Sequence, residues 1–264
     1  MGGVQKLVNP QSAYAFELFG IDSHLLQIDP PPPFSSAWEA SEMAEVYWRS
    51  LTRDVPFGEF NTNRMIQEAA ADLSCFTDYR GPQEEGRVTA NTIFRGDMAG
   101  VLDGPFISQF LWQDIPYGIQ QVNQQYYTPV FGDDYMTTYK EWLDIQNGII
   151  PSTSNQLDTI PRYIRNGRDL GEWVHKDFPF QAYLNTCLIL LQYGKDALDL
   201  SNPYLYSKAQ DSFVTFGSSH ILDFVTKAVR KALEAAWFQK WLVHRRLRPE
   251  EFGGRVHHHL TGVS

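Results

Sequence analysis

The stretch SSHILDFVTKAVRKALEAAWFQKWLVHRRLRPEE, residues 218–251, decides the fold. Its apolar residues Ile221, Leu222, Val225, Val229, Ala232, Ala236 and Val243 recur at intervals close to the helical period, which predicts one long helix with a core-facing stripe. Ser218 or Ser219 is placed to cap its start. The helix is expected to end near Leu247, because Arg248 precedes Pro249 and is pushed towards an extended backbone. The same stretch gathers Lys240, His244, Arg245, Arg246 and Arg248 within nine positions of a chain whose formal net charge is -9.

Helical patterning continues outward from this stretch. Pro30 to Pro33 form a stiff spacer, and Ser36 followed by Glu39 reads as a capping-box start for the helix in SSAWEASEMAEVYWRSL. In NRMIQEAAADLSCF, residues 63–76, the residues Met65, Ile66, Ala69, Leu73 and Phe76 share one face. Residues 77–132 are richer in Gly, Pro, Gln and Asn and read as surface excursions around short helices such as GPFISQFLW, residues 104–112. YMTTYKEWLDIQNG, residues 135–148, is a helix closed by Gly148. RDLGEWVHKDFPFQAYLNTCLILLQYGKDAL, residues 168–198, is one kinked helix or two, with the break near Pro179. Strand-like alternation is scarce and no repeat appears, so the fold class is all-α (mainly α). Residues 1–35 read as an N-terminal extension with a Pro-rich spacer, and residues 36–264 as one helical domain.

Composition narrows the function classes. With 264 residues and 43% hydrophobic content the chain fills a real core. A sequence pI near 5.2 argues against nucleic-acid binding, since sequence-independent phosphate contact needs net positive surface. The best apolar run, YLNTCLILLQYG at 183–194, is too short for a membrane span. The first residues lack the pattern of a secretory signal, and localisation stays open. Cys75 and Cys187 lie far apart in apolar contexts and are expected to be buried free thiols.

On a continuous helix, Trp237, Lys240, Trp241, His244 and Arg248 fall on one side at roughly 100° per residue. Arg245 and Arg246 point elsewhere, towards solvent or carboxylates. Lys supplies a compact charge and Arg a planar fork suited to a tetrahedral oxyanion. Two readings stay open from the pattern: a solvated basic helix end favoured by the macrodipole, and a local oxyanion site. Other polar features read as structural. GSSH, residues 217–220, is a helix start rather than a hydroxyl-imidazole pair; His257 to His259 cannot all face one ion; the acids of FGDDY are turn residues; and His175 is a satisfied imidazole on an amphipathic helix.

Lys240, seven residues and Arg248-Pro249 resemble the first vanadate-binding motif of the vanadium-dependent haloperoxidases, which related acid phosphatases share in looser form. The resemblance extends over residues 213–254, and through NTIFRG (91–96), GPFISQFLW, DYMTTYKEWLDIQNG (134–148), RYIRNGRDLGEWVH (162–175) and AYLNTCLILL (182–191), to bromoperoxidases of algae and cyanobacteria. It implies a helical-bundle fold, a vanadate cofactor, and oxidation of bromide by hydrogen peroxide to a hypobromous-acid equivalent, which passes to organic acceptors. By motif, Lys240 and Arg248 would hold vanadate, with Trp237 and His244 by the halide pocket.

The family continues much later with Pro-Ser-Gly-His and with Ser-Arg, five residues and the vanadium-ligating His. This chain contains neither, so no metal ligand is expected in it. The fold is expected to be incomplete at the C-terminus, and the chain to be an inactive fragment or split subunit with exposed apolar helix faces. Homo-oligomerisation or a complementary C-terminal chain is implied. Alternative readings are a related acid phosphatase and a non-catalytic assembly subunit. Some relatives carry calcium before the long helix, but LSNPYLYSKAQDSF, residues 200–213, offers only Asp211, and calcium is not expected.

Overall fold

The structure is a computed structural model and describes residues 13–14, 20–206, 212–213 and 216–263. Its α-helices are α1 (Ala37–Leu51), α2 (Arg64–Leu73), α3 (Tyr139–Gln146), α4 (Gly167–Lys176), α5 (Gln181–Gln192), α6 (Ser218–Phe238) and α7 (Pro249–Thr261). A hairpin of β1 (Ile115–Tyr117) and β2 (Gln120–Val122) turns through Gly118 at φ +63°, a conformation that glycine adopts without strain. The chain is mainly helical, as its patterning predicts. No helix among the described residues is long and apolar enough to cross a membrane. Asp211, the carboxylate weighed for calcium, lies outside the described residues.

The starts of the helices follow their capping residues. The Ser36 Oγ accepts the Glu39 N–H at 3.0 Å, and Asn63 Oδ1 accepts from Met65 and Ile66. The reciprocal capping box forms at Thr138 and Glu141 instead of at Ser36, because the Glu39 carboxylate is taken by Arg246. Pro179 separates α4 from α5, giving two helices rather than one kinked one. GPFISQFLW contributes a 3₁₀ turn at Gln109–Trp112, started by the Ser108 hydroxyl.

The core sits where α2 meets the loops around it. Ile66, Ala69, Ala70 and Leu73 are buried on one face of α2 against Val55, Phe60, Val88 and Ile93. Fully burying such a side chain contributes on the order of 2 kcal/mol, so this cluster anchors α1 and the 88–106 excursion. A second cluster joins Ile107, Leu111 and Ile164, with Leu170 and Trp173 of α4 packed against it.

α4 is fixed by charge as well as packing. Arg168, whose side chain is 7% exposed, forks onto both oxygens of Asp54 at 2.5 and 2.6 Å and onto Asp134 at 2.6 Å. The guanidinium is thereby held further above its ordinary range, chiefly by its hydrogen bonds to Asp54. Arg168 and then Arg53 hold the Asp134 carboxyl below the usual carboxylate range. The acids of FGDDY are therefore structural: Asp134 pairs with arginines, and Asp133 accepts the Gln156 N–H at 3.0 Å.

Candidate functional site

The helix carrying the basic stretch does not bury its apolar stripe. Among the described residues of α6, Lys231, Glu234 and Ala235 are buried, whereas Ile221, Leu222, Val225 and Val229 are only half-buried, Ala232 is exposed, and Phe224 is 67% exposed; Val243, beyond α6, is exposed as well. The stripe residues share a face, as the periodicity predicts, but it is not the buried one: among the described residues, burial on α6 falls on Lys231, Glu234 and Ala235. The start also differs from expectation. Gly217 is the N-cap and neither serine caps by its side chain; glycine fits there because a Cβ at 217 would lie 2.5 Å from the Phe213 backbone. His220 Nδ1 instead accepts the Phe216 N–H at 3.1 Å, which makes GSSH a helix-start device.

The opposite face of α6 is closed by an N-terminal strap. Ser23 is fully buried and donates its hydroxyl to Glu234 at 3.3 Å, while Arg230 donates to the same carboxylate at 2.9 Å and Lys231 at 3.4 Å. A buried carboxylate is tolerated because several donors face it. The His24 ring stacks on Phe238 at 4.2 Å between centroids.

At Gln239 the helix changes pitch. Gln239–His244 is a π-helical turn, closed by the Arg245 N–H to the Lys240 carbonyl at 3.1 Å, and Arg245 leaves it in the left-handed region at φ +46°. Such wide turns are rare and cluster at functional sites. The strap pins this turn at both ends. Gln239 Nε2 donates to the Leu26 carbonyl at 3.0 Å, and the His244 ring nitrogen Nε2, protonated to face a carbonyl, donates to Ile28 at 2.9 Å. Arg246 then reaches back to α1, meeting Glu39 at 2.8 Å and Glu42 at 2.6 Å. Arg246 thus goes to carboxylates, as one sequence reading had it.

The helix therefore ends at His244, a turn short of Leu247, and Arg248 does not share a helix face with Lys240. The wide turn and the left-handed exit at Arg245 break the spacing on which that alignment depended. Arg248 is extended at φ −72° and ψ 148°, and forms the N-cap of α7 with Pro249 at its first position. Trp237 stands half-buried on the last turn of α6. The Lys240 side chain is exposed, its ammonium 5.0 Å from the Trp241 ring centroid. The Arg248 guanidinium is exposed and pairs through Nε with Glu250. His244 is the predicted site residue whose Nε2 the fold has already used.

These positions define what the corner can do. An ammonium on the π turn and a planar guanidinium at a helix start, both solvent-facing, suit an oxyanion that approaches from outside. Arg248 keeps unused donors beyond Nε. The donor set fits vanadate in charge and hydrogen-bonding type. Among the described residues no three His, Cys, Asp or Glu side chains group to hold a metal ion.

Other singled-out residues lie elsewhere. His257 and His258 pack on α3, the first stacked on Tyr139 and the second 2.9 Å from its hydroxyl. His175 is exposed in the last turn of α4 rather than enclosed. Cys187 is buried, but Cys75 is exposed, against expectation, because α2 ends at Leu73 and the chain turns outward.

Comparison with known proteins matches this architecture. No family model matches the chain. It is 35% identical over 271 residues to a vanadium-dependent bromoperoxidase of Ascophyllum nodosum, covering 98% of this chain and 48% of that protein. Vanadium-dependent bromoperoxidases of Corallina pilulifera and Corallina officinalis are 32% and 31% identical over 94% of this chain and 48% of their own length. The solved homohexameric structure of the second vanadate-dependent bromoperoxidase of Ascophyllum nodosum superposes with a TM-score of 0.87 at 34% identity, covering 98% of this chain and 44% of that one. In sequence and fold the chain is thus a relative of the vanadium-dependent haloperoxidases. More narrowly, its matches are bromoperoxidases, and the chain spans about half the length of each.

Proposed function

We propose that this chain supplies the Lys240 and Arg248 side of the vanadate site of a bromoperoxidase that oxidises bromide with hydrogen peroxide. The observation that supports this most directly is the exposure of these two cations at a corner whose turn is hydrogen-bonded by other residues, in a chain related along its length to such enzymes. Bound vanadate supplies Lewis acidity towards peroxide. Lys240 offers a mobile point charge and Arg248 a directional fork that neutralise oxyanion charge. Trp237 presents an apolar wall on the preceding turn, and His244 acts by positioning the π turn through Ile28.

Two exposed cations hold an oxyanion weakly, so these 264 residues are expected to bind vanadate without efficient bromide oxidation on their own. Vanadate titration followed by vanadium NMR tests this reading. Lys240→Ala and Arg248→Ala should each weaken binding about tenfold, on the order of 1.4 kcal/mol. Binding unchanged in both variants would overturn the assignment, and a phosphomonoesterase assay separates it from phosphatase activity.

The exposed apolar side chains Phe224 and Leu233 of α6 support a companion proposal: they are covered by further protein, either a complementary chain or another copy, and one relative is homohexameric. Sedimentation of the wild type beside Phe224→Glu checks self-association. A monomer at all concentrations would exclude the second copy.

A further inference from the structure

A cleft of about 360 Å³ lies between the end of α1, the 57–60 turn, the 94–106 excursion and α4, away from Lys240 and Arg248. Four phenylalanines build its wall. Phe60 sits 4.5 Å from Phe106 and 6.3 Å from Phe94 between ring centroids, and Phe57 stacks on Phe106 at 6.0 Å. The volume matches a small organic molecule rather than a lone ion or a peptide.

Two features separate this cleft from ordinary imperfect packing. Phe94 holds its backbone at φ +62°, a conformation that costs a bulky residue and persists only where its surroundings impose it. That conformation seats its ring on the cleft wall, with the Arg49 guanidinium 5.6 Å from the centroid and donating to the Phe94 carbonyl at 3.2 Å. On the far side α4 presents Gly171, where an added Cβ would meet nothing within 4 Å, so the helix leaves the space open.

Charge then limits the occupant. Arg49 and Arg53 stand at the cleft, and each is tied to a carboxylate through a single terminal nitrogen, Glu45 at 2.8 Å for Arg49 and Asp134 for Arg53. A guanidinium carries five N–H donors in a fork, so both keep donors for a planar anion. Aromatic faces beside paired guanidinium forks recognise a flat ring bearing an acidic group.

We propose that this cleft is a binding site for a small aromatic carboxylate of one or two rings, its ring against Phe60, Phe94 and Phe106 and its carboxylate on Arg49 and Arg53. The site does not depend on the vanadate assignment, because it shares no residue with it.

Calorimetric titration of the full chain with 2-naphthoate, beside the neutral 2-naphthalenemethanol, provides the test. Wild type should bind naphthoate saturably at one site and the alcohol at least tenfold more weakly. Gly171→Leu, which fills the cleft from a helix position tolerant of a side chain, should abolish naphthoate binding with an unchanged far-UV spectrum. Arg49→Gln with Arg53→Gln should weaken naphthoate at least tenfold and leave the alcohol unaffected, an affinity ratio that stays readable if the leucine variant fails to fold. Absence of saturable binding, equal affinity for acid and alcohol, or full binding by a folded Gly171→Leu protein would overturn the proposal.

Discussion

Arg246 donates to Glu39 at 2.8 Å across 207 positions of sequence, joining the corner after α6 to the first turn of α1. The Glu39 side chain is 3% exposed, and removing its partner leaves a buried carboxylate without its counter-charge. Arg246→Met is therefore expected to destabilise the fold by about 3 kcal/mol. That corresponds to a melting temperature lower by roughly 6–12 °C, read by thermal circular dichroism. Adding Glu39→Gln to the Met variant should recover part of the loss, since no charge then remains buried.

Neighbouring glycines in α7 should respond with opposite signs. A Cβ at Gly254 would sit 2.0 Å from Trp142 Cζ2, and Trp142 is tied through its indole N–H to the Glu250 carbonyl at 2.9 Å. Gly254→Ala is expected to cost about 1–3 kcal/mol and to alter tryptophan fluorescence. At Gly253 nothing lies within 4 Å of the added atom, so Gly253→Ala should stabilise α7 by up to about 1 kcal/mol. Urea denaturation of the two variants side by side checks the contrast.

Alkaline stability should depend on Tyr79. Its hydroxyl is buried without a hydrogen-bond partner, and burial, aided by Glu45, pushes its pKa from 10.0 up to about 12. A folded-state pKa above the unfolded one means that the full contribution is present below pH 10 and is lost as pH rises through about 12. Tyr79→Phe removes no hydrogen bond, so it should stay within about 1 kcal/mol of wild type at neutral pH. It should also flatten the loss of stability across that alkaline window, measured by denaturant midpoints against pH.

The two thiols should react at separate rates. Cys75 is exposed, whereas Cys187 is buried and desolvation raises its pKa. Alkylation of the native protein at pH 8 is expected to label Cys75 first and Cys187 only slowly, with both labelled after unfolding. Equal native rates, read by peptide mass mapping, would contradict the burial of Cys187 on α5.

Much of the helical frame was legible because its signals are local. Ser36, Asn63, Gly148 and Pro179 each act on a backbone within a turn of themselves, and each marks a boundary in the structure. The capping box at Thr138 is equally local, whereas the Ser36–Glu39 spacing mimics one because the partner of Glu39, Arg246, lies across the fold. The π turn carries no compositional mark, and the partners that hold its ends, Leu26 and Ile28, lie 213 and 216 positions away in sequence. The same limit applies to α6. Spacing shows which side chains share a face, but only tertiary structure shows that Glu234 and Lys231 face inward while Phe224 does not. At the candidate site, the residue types and their separation were readable, and the path of the chain between them was not.

That path alters what the interval from Lys240 to Arg248 measures. It is a dimension of a bend, comparable to the distance between the jambs of a doorway, and not a step count along one rod. A change such as Arg245→Val, whose branched side chain disfavours the left-handed exit, would keep both letters and their separation while altering the bend. Relatives that preserve the two cations but replace the residues turning the bend should therefore be judged by the bend.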